Sequence, residues 1–207
     1  MSQDNYLEYN PDCLYTEKLA FKLFVMASLL ADNNLAYRGT LKDISKELGF
    51  AGTADTRRNK RIKDAINQLE EKGLIKVLKD GNIYTISQAK RADKKAIRIA
   101  RDTVKLIRTT LMEERTGHDW SYTLKVLLYL IETDNTFVEG MNDRFYKEIA
   151  EALDINKKQV GFAIKQLEER FQAISTNKNY RVETNRKGDL LIKREATTIH
   201  LMPIVKE

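Results

Sequence analysis

One order of helices and hairpin occurs twice in this 207-residue chain, and the repeat constrains the fold more than any other feature. Residues 43–48, DISKEL, align with residues 148–153, EIAEAL, and residues 67–71, NQLEE, align with residues 165–169, KQLEE. Two copies of one supersecondary unit are a stronger indication of a fold than either copy alone. The repeat therefore predicts two similar small domains.

The first copy has the pattern of three helices followed by a β-hairpin. Apolar residues at helical spacing predict a helix over 15–31 and a second helix in LKDISKELG, with Thr40 as its N-cap. The third helix is predicted in RRNKRIKDAINQLEEKG, where Gly73 ends it. β-rich runs on both sides of Asp80-Gly81 predict the hairpin. The apolar stripe of the third helix consists of Ile62, Ala65, Ile66 and Leu69.

The second copy repeats this order with a shorter connection. Helical patterns cover 120–135, 142–155 and 156–171, and alternation over 180–194 predicts a hairpin. From Leu48 to Leu69 is 21 positions, whereas from Leu153 to Leu167 is 14. The first copy therefore carries seven extra residues, which lengthen the turn before the third helix or extend that helix by about two turns.

Residues 89–117, between the copies, contain no proline and no internal glycine, so one long amphipathic helix is predicted. Three interpretations of this helix remain open. It covers exposed core of the neighbouring domains, it pairs with a second copy to form a homodimer, or its basic face follows DNA phosphates. Its apolar seam consists of Ile97, Ala100, Val104, Ile107 and Leu111. Its basic residues are Lys90, Arg91, Lys94, Lys95, Arg98, Arg101, Lys105 and Arg108.

The order of helix, helix, basic helix and hairpin resembles the winged helix-turn-helix superfamily. The resemblance covers roughly residues 15–88 and returns after residue 118. It implies a mainly α fold with small β-hairpin wings (α+β), with domains at 1–88 and 118–207 joined by the 89–117 helix. It also implies that the third helix enters the DNA major groove and that the wing lies against the backbone or the minor groove.

The charge of the chain favours a polyanionic partner. Lys and Arg number 36 against 30 Asp and Glu, which gives a net charge of +6, and the pI is about 9.2. Neutralising phosphates releases condensed counterions, so a basic protein gains affinity for nucleic acid. The same charge also suits a surface tuned for solubility. Together with the resemblance, it predicts double-stranded DNA as the partner.

The candidate DNA contacts of the first copy project away from the apolar stripe of its third helix. Basic residues cluster at the start of that helix, where the helix dipole favours acids, and this local cost suits an end that faces phosphates. Arg and Asn can read base edges, whereas Lys mostly holds phosphates. The candidates are Arg57, Arg58, Lys60, Arg61, Lys63 and Asn67.

The second copy and the two wings contribute further candidates. Asn156 is a good N-cap, so a structural role is expected for it, and Phe162 is expected in the core. The third helix of the second copy offers Lys157, Lys158, Gln159 and Lys165. The wings offer Lys76, Lys79 and Asn82 in the first copy, and Lys178, Arg186 and Lys187 in the second.

Several classes of function find no support in the sequence. There is no glycine-rich phosphate loop, HExxH helix or GxSxG elbow, so no enzyme is predicted. Cys13, His118 and His200 are too scattered for a zinc site, and we expect no metal, cofactor or small-molecule ligand. The polar, acidic N-terminus is unlike a signal peptide, and the longest apolar stretch, 19–31, is broken by Lys22. These features predict a cytoplasmic protein with no membrane partner.

Three functions fit the predicted architecture. The first is a transcriptional regulator of a prokaryote, plasmid or phage that acts by occupying a specific site. The second is a replication initiator that binds repeated origin sites, because plasmid initiators of the theta-replicating type also pair two winged helices. The third is a protein-interaction adaptor, against which the basic third helices argue.

Overall fold

The computed structural model describes residues 6–32, 35–50, 55–89, 96–113, 119–133, 143–184 and 190–202. The chain divides into two compact units, residues 1–117 and 118–207. Both units combine helices with small antiparallel sheets, so the predicted α+β class is confirmed.

The first unit contains four helices and five strands among its described residues. A short 3-10 helix, Pro11–Tyr15, follows the first strand. The strands are β1 (Tyr6–Tyr9), β2 (Ala36–Thr40), β3 (Ile75–Asp80), β4 (Ile83–Gln88) and β5 (Ile97–Ala100). The helices are α1 (Lys18–Leu29), α2 (Leu41–Glu47), α3 (Thr56–Glu71) and α4 (Arg101–Glu113).

The core of the first unit lies between α1, α3 and an antiparallel sheet of order β2-β4-β3. Phe21, Leu23 and Phe24 of α1 are buried, as are Tyr37 of β2 and Ile86 of β4, which pair directly. Strand side chains alternate between the two faces, so this sheet turns one face to the helices and leaves the other to solvent. The sheet and α1 together form the base on which α2 and α3 pack.

Helix α2 begins at a capping box that the sequence predicts only in part. The Thr40 hydroxyl accepts a hydrogen bond from the Asp43 amide, and Asp43 Oδ2 accepts from the Thr40 amide at 2.8 Å. These two bonds satisfy backbone donors that the first turn of a helix leaves open. The bonds from Thr40 to the Asp43 carboxylate also hold the pKa of Asp43 below its usual value.

The predicted long helix over 89–117 is confirmed only in part, because residues 101–113 are helical whereas residues 97–100 form a strand. Strand β5 pairs antiparallel with β1, with Leu7 opposite Ile99, and α4 starts only at Arg101. In β5, Ile97 and Ile99 are buried while Arg98 between them is exposed, which is the two-residue period of a strand. Residues 97–100 are extended because they pair with a strand about 90 residues earlier, and the local sequence pattern does not indicate this partner.

The apolar stripe of α4 is buried inside the first unit. Val104, Ile107 and Leu111 are almost completely inaccessible to solvent, and α4 packs against α1. A stripe that is already covered has no apolar area left for a second copy. The packing therefore agrees with the interpretation that this segment covers core of the first unit.

Two arginines predicted on the outer face of the linker instead tie α4 to other parts of the first unit. Arg101 Nη1 donates to the carbonyl of Leu29 at 2.9 Å. Arg108 Nη2 donates to both the carbonyl and the carboxylate of Glu47, at 2.7 and 3.0 Å, and Arg108 is only 8% exposed. Because Glu47 ends α2, Arg108 anchors α4 at the turn that leads into α3.

The second unit has three helices and one long hairpin among its described residues. Its first and third helices pack together, and Leu124 and Leu127 of the first and Val160 and Ile164 of the third are buried. The hairpin strands extend well beyond the predicted 180–194, with a register shift between Asn179 and Tyr180. The elements are α5 (Trp120–Glu132), α6 (Asp143–Leu153), α7 (Lys157–Lys165) with a π-helical turn at Gln166–Arg170, β6 (Ile174–Thr184) and β7 (Leu190–Leu201).

The seven extra residues of the first copy divide between the turn and the helix. Helix α3 starts 13 positions before Leu69, whereas α7 starts 10 positions before the aligned Leu167. Three residues therefore lengthen α3, and the remaining four lengthen the turn before it. One added helical turn raises the length of α3 to 16 residues, or about 24 Å.

We predict that Arg108→Met lowers the free energy of unfolding by about 2 kcal/mol, since it removes the charge-assisted hydrogen bonds that Arg108 donates to Glu47. Urea unfolding of the full chain measures this change. Lys105→Met is the matched control, because Lys105 is exposed on the same helix, and a change within about 0.5 kcal/mol is expected for it. Equal effects of the two substitutions would contradict the anchoring role.

We also predict that Asp43 makes an acid-sensitive contribution to the free energy of unfolding. Its pKa is lower in the folded chain than in the unfolded chain, so its contribution is present above the unfolded value of about 3.9. The contribution is lost as the pH falls through the lower, folded pKa. The difference in unfolding free energy between the natural chain and Asp43→Asn should therefore shrink over roughly pH 5 to pH 2, the range in which carboxylates protonate. A difference that stays constant over this range would contradict the assignment.

Candidate nucleic-acid interface

Helix α3 is held in place by its apolar stripe, and the stripe determines which of its faces reaches solvent. Ile62 and Leu69 are fully buried, and α3 packs against both α1 and α2. At its start, Asp55 accepts a hydrogen bond from the Arg58 amide at 2.6 Å and so caps the helix. The opposite face of α3 carries only polar and charged side chains.

The structure brings the predicted residues of α3 together on that outer face, with one exception. Five of the six are exposed, whereas Arg58 is half-buried. The Arg58 guanidinium lies over the Phe50 ring, 5.3 Å from its centroid. This cation–π contact ties α3 to the preceding turn, so Arg58 has a structural role that the sequence did not indicate. The exposed five are Arg57, Lys60, Arg61, Lys63 and Asn67.

Charge is distributed unevenly along α3. The basic side chains lie in its first half, while Asp64, Glu70 and Glu71 are exposed further along. No acidic residue occupies the first turn, although the helix dipole would favour one there. Asp55, at the N-cap, precedes the basic cluster, and Asp64 directly follows it. The first two turns of α3 therefore present a positive surface to solvent.

The hairpin predicted as the wing of the first unit consists of β3 and β4, and the two residues Gly81 and Asn82 close it. Gly81 has a φ of +55°, a conformation that suits tight hairpin turns and that side chains disfavour. Lys76 and Lys79 are exposed on β3, and Lys79 Nζ lies 5.8 Å from the centroid of Tyr84. This hairpin thus carries two lysines and a polar tip.

Two exposed lysines on α2 were missed by the sequence reasoning. Lys42 and Lys46 lie one turn apart on the side of α2 that faces away from the buried Ile44. Their i and i+4 spacing was the signal that could have identified them, because residues four apart share one helix face. They extend the basic surface onto the helix that precedes α3.

Helix α7 of the second unit carries its predicted residues with different roles. Asn156 caps the helix, as expected, and the Gln159 side chain completes a capping box by accepting from the Asn156 amide at 2.9 Å. Gln159 is therefore engaged locally, and its carbonyl oxygen is occupied. Lys157, Lys158 and Lys165 are exposed, and Lys165 forms a 3.7 Å ion pair with Glu169.

Several predicted residues fall where the structure gives no side-chain description. Arg186 and Lys187, at the tip of the second hairpin, lie outside the described residues, as do Lys90, Arg91, Lys94 and Lys95 of the linker. Lys178 lies in β6, but its side chain is not described.

Arg98 of the predicted linker helix lies in the described part of the chain. Its guanidinium lies over the Tyr6 ring, 4.3 Å from the centroid, so Arg98 has a contact within the first unit.

The net charge belongs entirely to the first unit. Residues 1–117 contain 22 Lys and Arg against 16 Asp and Glu, which gives +6, whereas residues 118–207 contain 14 of each and are neutral. Within the first unit, residues 56–117 hold 17 basic and 8 acidic residues, a net charge of +9, and residues 1–55 have a net charge of −3. The net positive charge of the first unit therefore lies in the part of the sequence from the start of α3 to residue 117.

Comparison with known proteins does not place this chain in a family: no family model matches it, and no curated protein is similar enough to be matched. Within the described residues, no cluster of His, Cys, Asp and Glu could hold a metal ion. None of the described helices combines the length and apolar character needed to cross a bilayer.

We predict that Asp55→Ala lowers the free energy of unfolding by about 1 kcal/mol, because α3 loses its N-cap. Asp55→Asn is the matched control. It removes the same charge but keeps an oxygen that can accept from the Arg58 amide, so its stability should stay near that of the natural chain. Thermal unfolding of both variants measures the difference, and equal losses would show that charge rather than capping is responsible.

Proposed function

We propose that this chain is a double-stranded DNA-binding protein of winged helix-turn-helix type and that its first unit supplies most of the affinity. The observation that carries the proposal is the exposed basic face in the first half of α3, on the side of the helix away from its buried apolar stripe. The order of three helices followed by a hairpin in the first unit supports it, since the resemblance to winged helices rests on this order; the strand β2 between α1 and α2 was not part of that expectation.

In this proposal α3 enters the major groove. A helix fits this groove, which is about 12 Å wide, and the side chains of its exposed face then reach base edges. Arg57 and Arg61 lie one helical turn apart and can each bind guanine O6 and N7, and Asn67 can bind adenine. Lys60 and Lys63 are suited to phosphates. Arg58, which stacks on Phe50, is proposed to fix the approach of the helix rather than to read bases.

The wing and α2 contribute contacts to the DNA backbone in the same scheme. Lys76 and Lys79 lie on the hairpin, and Lys42 and Lys46 lie on the helix before α3, all of them exposed. Lysine is a compact point charge on a flexible stem, which suits phosphates at varying distances. These contacts set the register of α3 on the duplex without reading sequence.

The difference in net charge between the two units indicates how much each contributes to the affinity for DNA. Non-specific affinity for DNA comes from phosphates neutralised by basic residues, and the net positive charge lies in residues 1–117. A neutral second unit adds little to this term and is proposed to contribute local contacts through α7. Such a chain acts by occupying its site, as a transcriptional regulator of a prokaryote, plasmid or phage would.

We predict that the double substitution Lys60→Ala with Arg61→Ala weakens binding to duplex DNA by roughly tenfold to a hundredfold and lowers the salt slope by about 2, the effect of losing two charged contacts. Both residues are exposed, so the fold should persist. The exchange Lys60→Arg with Arg61→Lys keeps both charges and should retain non-specific binding. Fluorescence anisotropy with a labelled duplex measures all three proteins.

A second pair of substitutions tests the division between the units. Lys158 and Lys165 are the aligned positions of Lys60 and Asn67, and replacing both lysines with alanine removes the same charge from α7. The loss of affinity should be smaller than for the pair on α3. Equal or larger losses would contradict the dominance of the first unit, and unchanged binding by the α3 variant would contradict the proposed interface.

A further inference from the structure

Nothing among the described residues of the second unit requires a glycine at position 161. It is the fifth of the nine residues of α7, and its φ is not positive. A Cβ placed there would meet no atom within 4 Å. The other four described glycines each have a visible reason, since three have positive φ and the Tyr37 ring crowds the fourth, Gly39.

A glycine inside a helix is unfavourable unless something needs the space. Glycine loses more conformational freedom on folding than any other residue, and among the residues other than proline it is the poorest helix former. Alanine at position 161 would fit without a clash and would favour the helix. The missing side chain therefore suits a partner, not among the described residues, that approaches the backbone of α7 closely at Gly161.

The surroundings of Gly161 indicate the chemistry of that partner. Lys158 lies three positions before it and Lys165 four positions after it, so all three share one side of α7. Both lysines are exposed. Over seven positions the two lysines are separated by about 10 Å along the helix axis, with Gly161 between them. Two cations on either side of a bare stretch of backbone suit a single anionic group.

The acidic neighbour at this face does not block an anion. Lys165 pairs with Glu169 at 3.7 Å, but both side chains are 64% exposed. Exposed ion pairs of this kind contribute little free energy, so Lys165 can exchange its partner for a phosphate.

The first unit carries a lysine where the second carries this glycine. In the register that aligns Leu69 with Leu167, Gly161 corresponds to Lys63 and Lys158 corresponds to Lys60. At α3 a lysine side chain extends from this position, whereas α7 has bare backbone there. The two helices therefore differ in how closely a ligand can approach them at the same point.

We propose that a backbone phosphate of duplex DNA lies against α7 at Gly161, between the side chains of Lys158 and Lys165. This inference rests on the proposed DNA binding and adds the position at which the second unit meets the duplex. The lysines supply the charge, and the absence of a side chain at Gly161 lets the phosphate come close to the helix backbone.

The test compares the full chain with Gly161→Ala and Gly161→Gln in binding to a labelled duplex over a range of salt concentrations. Gly161→Ala should melt several degrees higher, because alanine favours the helix, and should still bind DNA roughly tenfold more weakly with a salt slope reduced by about 1. Gly161→Gln should bind more weakly again, because its side chain is larger.

Gln172→Gly is the matched control. Gln172 is exposed beyond the end of α7, is uncharged and has a φ of +49°, so glycine there should stabilise the same unit without touching the face of Gly161. It should raise the melting temperature and leave DNA binding unchanged. Weaker binding by this control would overturn the inference, since stabilisation of the unit would then explain the effect of Gly161→Ala.

The remaining outcomes separate the inference from the function on which it rests. If the natural chain binds duplex DNA and Gly161→Ala binds equally well, the inference is overturned and the proposed function stands. If Gly161→Ala changes the oligomeric state instead of DNA affinity, a protein partner occupies this face and the inference is again overturned. If the natural chain binds no duplex even at low salt, the proposed function fails and the inference fails with it.

Discussion

The burial of the α3 stripe is the interaction on which the candidate interface depends. Ile62 and Leu69 are fully enclosed by the first unit, and this enclosure leaves the basic side chains of α3 only the outward direction. The supports of α3 act at its start, where Asp55 caps the helix and Arg58 stacks on Phe50. Arg108 then holds the end of α2. An interface built on a packed helix keeps its side chains in place, as recognition of DNA requires.

Local patterns predicted the parts of this fold that local physics decides. The stripe of α3, the cap at Thr40 and the turn at Gly81 all follow from residues close together in sequence. The α+β class and the exposure of most α3 candidates could therefore be predicted. The strand over 97–100 could not, because its two-residue alternation is short and its partner β1 lies 90 residues away.

The same limit explains why two arginines of the predicted linker helix were placed on the wrong face. Arg101 and Arg108 look like members of a solvent-facing basic face, yet each donates to a backbone carbonyl distant in sequence. Such partners are visible only after folding. The capping role of Gln159 was missed for the opposite reason, since its bond with the Asn156 amide is local and the spacing of three residues could have identified it. Charge counted over the whole chain also concealed that residues 118–207 are neutral.

The central claim is that the chain binds duplex DNA through phosphate contacts of its first unit, and salt dependence tests it most directly. The measurement is the affinity of the natural chain for a random duplex and for DNA from its own locus, over roughly 50–200 mM salt. We expect a steep linear decrease of log K with log salt, and tighter binding to a specific site in the local DNA. A footprint repeated at a replication origin would favour an initiator over a regulator. No binding to either duplex at the lowest salt would contradict the account.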